Sequence, residues 1–271
     1  MNAKRAASTY DRLSLNDFGS LLLSTGDLDP VYITIFDAGR PTEVLHRFVL
    51  GYSFFYHVGV ASKLSEIEGP RFFSTVIELA NDKKTPRASE RRHFRGKACL
   101  KSLNYFSRTY ENPDQAMGHL MAECRGKDVI DVLQFVKRWP LYGPWIGFKL
   151  ADLMERVLGV PITFRRETLK LYKEPTKGAA LWCEAESLNY HELGISGVVQ
   201  LLEKQFGEYK APPAYDRPVG VQECETVLCK WKSHLNGHYR MGKDSREILE
   251  HLHGWGSLAE SLRKYVPQGE L

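Results

Sequence analysis

The chain has 271 residues, enough for one large domain or two small ones around a buried core. An apolar share of 43% and a charged share of 26% belong to a folded, water-soluble chain. No run nears the ~18–20 apolar residues of a membrane span, and five scattered cysteines without a CxxC pair argue against a disulfide framework or a structural zinc site.

The polar start, residues 1–11, is followed by only a short apolar run at Leu21 to Leu23, so no signal peptide is expected and the default location is the cytoplasm. Residues 1–14 read as a polar tail. The cap-like Ser14 opens a first helix carrying Phe18, Leu21 and Leu22. Val31 to Ile35 is the best short strand candidate in a chain where alternation is otherwise weak. A strong helical stripe follows through Val44, Leu45, Phe48, Val49, Tyr52, Phe55 and Tyr56, and another through Phe72, Val76, Ile77 and Ala80.

Between Asp82 and Arg108 nine Lys and Arg side chains stand against Asp82 and Glu90, while the whole chain nets only +4. Basic charge is therefore focused, as on a surface that meets phosphates; a solvated helix face is the plainer alternative. Within this stretch Arg91, Arg92, His93 and Arg95 form a compact cationic group suited to forked bonds with phosphate oxygens, of DNA backbone or of a small polyphosphate. In helical geometry Arg91 and Arg95 share a face, with Arg92 flanking and Glu90 orienting one guanidinium.

Val129, Val132, Leu133 and Val136 predict an amphipathic helix, after which WPLYGPWIGFKLAD (139–152) turns into a second helix running to about Leu158. Gly143 permits a tight turn and Pro144 suits the first turn of the new helix. Exposed N–H groups at a positive helix end offer a seat for a DNA phosphate, with Lys149 as an added backbone contact. The segment resembles the helix-hairpin-helix of the DNA glycosylase superfamily: Pro140, Gly143 and Gly147 match, whereas Leu141 stands where the first glycine belongs. A helix-turn-helix packed for structure alone remains the other reading. That superfamily's catalytic Asp falls about twenty residues beyond the second glycine. Here the position is Thr163, and Glu167 comes four residues late.

Helical stripes continue through Val198, Val199, Leu201, Leu202 and Phe206, then Val227, Leu228, Trp231 and Leu235, then Ile248, Leu249 and Leu252. Breaks are expected at 81–86, 112–114, 173–178 and 209–218, the last being the most linker-like with Pro212, Pro213 and Pro218. The expected fold is all-α or nearly so. Residues 15–265 form a single helical domain, or two lobes joined near 209–218. Glu225, Cys229, Lys230 and Lys232 should lie on one helix, with Glu225 and Cys229 projecting to one side. Glu225 suits a general base; Cys229 is either a thiolate nucleophile beside cations or a buried, inert thiol.

Taken together, the Phe-Phe-Tyr of 48–56, RRHFRG (91–96), YGPWIGFKLADLMER (142–156) and ETVLCK (225–230) resemble the bacteriophage amino acid:DNA transferase family, related to the alpha-glutamyl/putrescinyl-thymine pyrophosphorylases. The likeness covers about residues 15–260, and 143–156 is its most specific part. It implies a glycosylase-like helical catalytic domain that displaces pyrophosphate from a 5-pyrophosphoryloxymethyl uracil in DNA with an amine, commonly an amino acid such as glycine. In that reading the absent Asp makes sense, because the glycosidic bond must survive. Arg91, Arg92, His93 and Arg95 would bind pyrophosphate. Tyr142, Gly143, Pro144, Trp145, Gly147 and Lys149 would hold DNA, and Tyr56 or Tyr142 would stack on a base taken out of the duplex. Glu225, or else Asp152, with Cys229 beside them, would serve the incoming amine. Implied partners are the pyrophosphorylated DNA, the free amine and other phage DNA-modification enzymes in an infected host's cytoplasm. No cofactor is dictated: pyrophosphate release commonly recruits Mg²⁺, but no Asp cluster marks a metal site. A divergent glycosylase using Glu167 or Asp152, and a non-catalytic DNA-binding protein, are the alternatives.

Overall fold

The computed structural model describes residues 12–268; the polar tail expected at 1–14 lies outside them up to residue 11. Fourteen α-helices account for most of the described chain. They are α1 (Leu15–Thr25), α2 (Pro30–Asp37), α3 (Thr42–Phe55), α4 (Val58–Ser65), α5 (Arg71–Asn81), α6 (Gly96–Thr109) and α7 (Pro113–Cys124), followed by α8 (Val129–Val136), α9 (Pro144–Arg156), α10 (Lys173–Ala185), α11 (Tyr190–Gln205), α12 (Val221–Leu235), α13 (Lys243–Leu252) and α14 (Ser257–Leu262). The only sheet among the described residues pairs β1 (Lys127–Asp128) in parallel with β2 (Ile162–Thr163). The fold is all-α, as the periodicity predicts.

Several helix starts follow from local chemistry. The Ser14 hydroxyl accepts from the Asp17 amide at 3.1 Å, and Asn112 does the same for Gln115 at 2.8 Å ahead of Pro113. The expected strand at Val31 to Ile35 is instead the body of α2. Pro30 begins that helix, and the four consecutive residues Tyr32, Ile33, Thr34 and Ile35 are buried, so no polar interruption marks the one-sided stripe of a helix. The break expected at 173–178 is also helical. Pro175 falls in the first turn of α10, where no backbone N–H is needed.

Buried apolar residues from Leu15 to Val266 form one continuous cluster. Within it α3 packs on α4, α7 and α9, while α12 is flanked by α1, α10 and α11. The α10–α12 crossing is close: a Cβ on Gly178 would stand 2.4 Å from the Leu228 carbonyl oxygen. Only glycine permits that approach, which sets how far apart the two helices hold their side chains. The Pro-rich segment is tied down, because Arg156 donates to the Pro212 carbonyl from Nε at 2.9 Å and Nη2 at 2.6 Å. No helix among the described residues is long and apolar enough to cross a membrane.

Candidate active site

Helix α9 enters after a seven-residue connection from α8. The tight turn is made by Leu141 rather than Gly143: Leu141 has φ 69°, whereas Gly143 caps α9 in extended backbone at φ −89°. Leu141 thus occupies, with a side chain, the left-handed conformation that glycine usually takes. Pro144 is the first residue of α9, as expected. A Cβ on Gly147 would lie 2.8 Å from Leu133 Cδ2, so its small size seats α9 against α8.

One face of α9 then buries three charges: Lys149 (8% exposed), Asp152 (0%) and Arg156 (6%). Charges removed from water must be paired, and each is. Lys149 Nζ meets Glu225 Oε2 of α12 at 2.8 Å. The Tyr32 hydroxyl of α2 donates to Asp152 Oδ2 at 2.9 Å. Arg156 meets Asp29 Oδ2 at 2.6 Å, Glu223 Oε1 at 3.3 Å and Asp152 Oδ1 at 3.6 Å. Arg217 closes the ladder with both guanidinium ends at 3.0 Å from the Glu223 carboxylate. Burial opposes Lys149's charge, yet Glu225, Asp152 and Asp29 raise its pKa well above the ordinary lysine value, so it is a permanent cation. Burial pushes Asp152 the other way, up to about 7, against the pull of Arg156 and Lys149.

Above this ladder opens a cleft of about 680 Å³ between α9, α10 and α12. Glu225 and Cys229 line it together, with Cys229 Sγ 3.2 Å from Glu225 Oε1, in keeping with their expected projection to one side of α12. Lys149, Lys173, Lys230 and Lys232 supply cations to its walls. Lys230 is held by Asp244 Oδ2 at 2.6 Å and Lys232 by Glu174, while Lys173 is exposed. Tyr56 and Trp145, with ring centroids 4.8 Å apart, divide this cleft from a smaller chamber of about 270 Å³ and line both.

The other candidates fall elsewhere. Arg91 is buried, giving its Nε–H to the Phe54 carbonyl at 3.0 Å and Nη1 to the Leu141 carbonyl at 2.8 Å, and its guanidinium faces the Phe94 and Tyr142 rings. It sits in a short 3₁₀ turn (Ser89–Arg91), and Arg95 caps α6, so the two share no helix face. Arg92, His93 and Arg95 are exposed and do not line the cleft. Tyr142 is enclosed with its hydroxyl 2.6 Å from that of Ser53, which leaves it no face for a base. Lys149 points to Glu225 rather than outward to a phosphate. Burial and the neighbouring Glu225 push the Cys229 thiol far above its usual range, so it is no thiolate. Glu167 is on the surface, accepting from Ser196, outside both cavities.

Sequence reasoning did not single out Tyr32, Asp29 or Asp244 as site residues. Tyr32 falls inside the expected strand, and the Asp29-Pro30 step, a helix-start signal, is the one local mark at Asp29. Among the described residues no three His, Cys, Asp or Glu side chains are arranged to hold a metal ion.

A helical scaffold that carries a cleft with fixed charges of both signs, beside an exposed cationic surface, defines a protein built for polar substrates. A sequence profile of the amino acid:DNA transferase family matches residues 23–239. The chain is 36% identical to a protein named glycinyltransferase from Pseudomonas phage PaMx11, over 94% of this chain and 96% of that protein. It is 30% identical to a putrescinyltransferase from Delftia phage PhiW-14, over 93% of this chain and 82% of the relative. The chain belongs to the amino acid:DNA transferase family.

Proposed function

We propose that this protein hypermodifies DNA by placing the nitrogen of an amine or amino acid on the exocyclic methylene of a 5-pyrophosphoryloxymethyl uracil, with glycine the first donor to test. The C–N bond forms as the C–O bond to pyrophosphate breaks, and pyrophosphate leaves with the electron pair. The observation that carries the reading is the charge pattern of the large cleft. Its buried Lys149 ammonium and the lysines of α10 and α12 suit a departing polyanion, while the unpaired Glu90 carboxylate at its rim suits an incoming ammonium. With a leaving group already activated, the enzyme's task is to neutralise developing charge and align nucleophile with methylene.

Tyr56 and Trp145, in contact with each other, offer ring faces against which an extruded base would stack. The DNA backbone would lie along α6. Lys97, Lys101 and Arg108 recur on one face of that helix beside Pro140 of the hairpin, exposed and without a carboxylate partner among the described residues, and Arg92 and Arg95 continue the strip toward Glu90 at the cleft mouth. In this role Arg92, His93 and Arg95 serve phosphates of the DNA backbone. Such a reaction belongs in the cytoplasm of an infected host, where the modified DNA is made.

The test incubates the protein with DNA carrying the pyrophosphorylated base and a panel of amines, then digests the DNA to nucleosides for mass analysis. An amine-dependent mass gain with release of pyrophosphate supports the reading. No gain with any amine overturns it, and free base with abasic sites in its place would mark a glycosylase.

A further inference from the structure

The smaller chamber differs from the large cleft in one respect that bears on the donor. Both are lined by Asp29, Glu90 and Asp244 and by the Tyr56 and Trp145 rings. The lysines all belong to the large cleft; the chamber has no lysine or arginine in its lining, gains Glu247, and is walled by Tyr32 and Tyr52 as well. Its one imidazole, His251, is held below its usual value by burial and so is neutral at pH 7. At about 270 Å³ it is smaller than the ~300–1,000 Å³ of drug-sized pockets and has room for a small amine. Asp29 and Asp244 are already held by Arg156 and Lys230, each at 2.6 Å, and Glu247 has Lys243 at 3.6 Å; the free carboxylate of Glu90 and the electron-rich ring faces are what attract an ammonium.

A second, independent feature lies against the chamber wall. Tyr32 lines it and donates its hydroxyl proton to Asp152 Oδ2 at 2.9 Å. The other carboxylate oxygen, Asp152 Oδ1, is fully buried and has no hydrogen-bond partner; the nearest cation, Arg156, stands at 3.6 Å. A buried acceptor left open in this way is costly unless it has a task.

We infer that the small chamber is the donor-amine site and that Tyr32 passes the amine's proton to Asp152. The inference rests on the transferase reading above. In the step, the ammonium N–H gives its proton to the Tyr32 oxygen as the tyrosine's own proton moves to Asp152. The neutral nitrogen attacks the methylene presented beside the Tyr56 and Trp145 rings. Pyrophosphate departs on the lysine side, the product forms as a secondary ammonium, and Asp152 returns its proton to solvent. A carboxyl pushed up to about 7 is matched to accepting a proton near neutral pH. The groups that face Asp152 are Tyr32 and Asp29 beside α2, Tyr56 at the end of α3, Lys149 and Arg156 on α9, and Glu223 on α12. Glu90 is exposed and without a hydrogen bond or ion pair among the described residues but lines both cavities; Glu247, also exposed, lines the chamber and not the large cleft, and so separates the two.

Two readouts test this. The first is binding of glycine, methylamine and putrescine to the DNA-free protein, followed by tryptophan fluorescence, with Trp145→Phe identifying the responding ring. Quenching assigned to Trp145 and weakened several-fold in both Glu90→Gln and Glu247→Gln is expected; quenching that Glu247→Gln leaves unchanged, or no amine-dependent change at Trp145, overturns the chamber assignment. The second is steady-state transfer. Glu247→Gln should raise the amine KM and leave the DNA KM unchanged. Tyr32→Phe, which preserves the ring packing, should lower kcat by ~10²-fold and abolish the rise in kcat through about pH 7, with DNA affinity intact. Tyr32→Phe with wild-type kcat and pH profile, in a protein with unchanged melting, overturns the proton route. Asp152→Asn should reproduce the Tyr32→Phe profile where it folds. Failure of the transferase reading is distinct: it shows as no mass gain in wild type even where amines bind.

Discussion

The buried Lys149–Glu225 pair offers the sharpest perturbation, because both side chains are nearly inaccessible, at 10% and 6%, and their charged atoms are 2.8 Å apart. Removing one partner strands the other. Glu225→Met leaves an ammonium among apolar neighbours with only the more distant Asp152 and Asp29 to offset it, and such a loss is on the order of 3–5 kcal/mol. Lys149→Met leaves a carboxylate that still accepts from Thr226 Oγ1 at 3.4 Å and Cys229 Sγ at 3.2 Å, so its penalty should fall at the lower end. The double variant, apolar on both sides, should recover much of the lost stability while staying inactive, since pyrophosphate then departs without its buried cation. For a chain of this size about 3 kcal/mol corresponds to roughly 6–12 °C in Tm. Thermal melts and urea titrations of the four proteins give the coupling. If the double variant loses the sum of the two single losses, the pair is not the stabilising unit inferred here. If it keeps full turnover, Lys149 does not serve the leaving group.

Three further outcomes follow from particular contacts. Asp152 carries a folded-state value of about 7, above the ~3.9 of an unfolded aspartate, so its contribution to stability is fully present below about pH 4 and is lost as pH rises through 7; the stability difference between wild type and Asp152→Asn, measured by urea titration from pH 4 to 8, should follow that slope and be flat if the raised value is wrong. Gly178→Ala drives a Cβ against the Leu228 carbonyl and should destabilise by about 1–3 kcal/mol while lowering turnover, because α10 and α12 separate and with them Lys173 and Glu225; an unchanged melt would mean that the crossing yields freely. Lys97→Ala, Lys101→Ala and Arg108→Ala should each lower the slope of log affinity against log salt by about 1 in an anisotropy titration with DNA, and wild-type slopes in all three would remove α6 from the DNA path.

Much of this was legible along the chain. The all-α class, the cap at Ser14, the break at 112–114, the start of α9 at Pro144 and the placement of Glu225 and Cys229 on one helix side all depend on near neighbours in the chain. Local reading failed at α2, where the consecutive β-branched and aromatic residues Tyr32 to Ile35, all buried, mimic a strand. It also failed for Arg91, which as a bare residue suits phosphate but whose buried guanidinium is spent on the Phe54 and Leu141 carbonyls.

What the sequence alone determined, then, was a helical chain with a concentrated basic stretch, a hairpin opening a helix at Pro144, and motifs in the order that one family shares. Which of those charges meet was decided only by the tertiary structure. Lys149 and Glu225 are 76 positions apart, and Tyr32 and Asp152 are 120 apart. No periodicity couples residues across such distances. They are brought together because α9 must bury a face that carries Lys149, Asp152 and Arg156, and a buried charge is tolerated only where α2 and α12 deliver its partners.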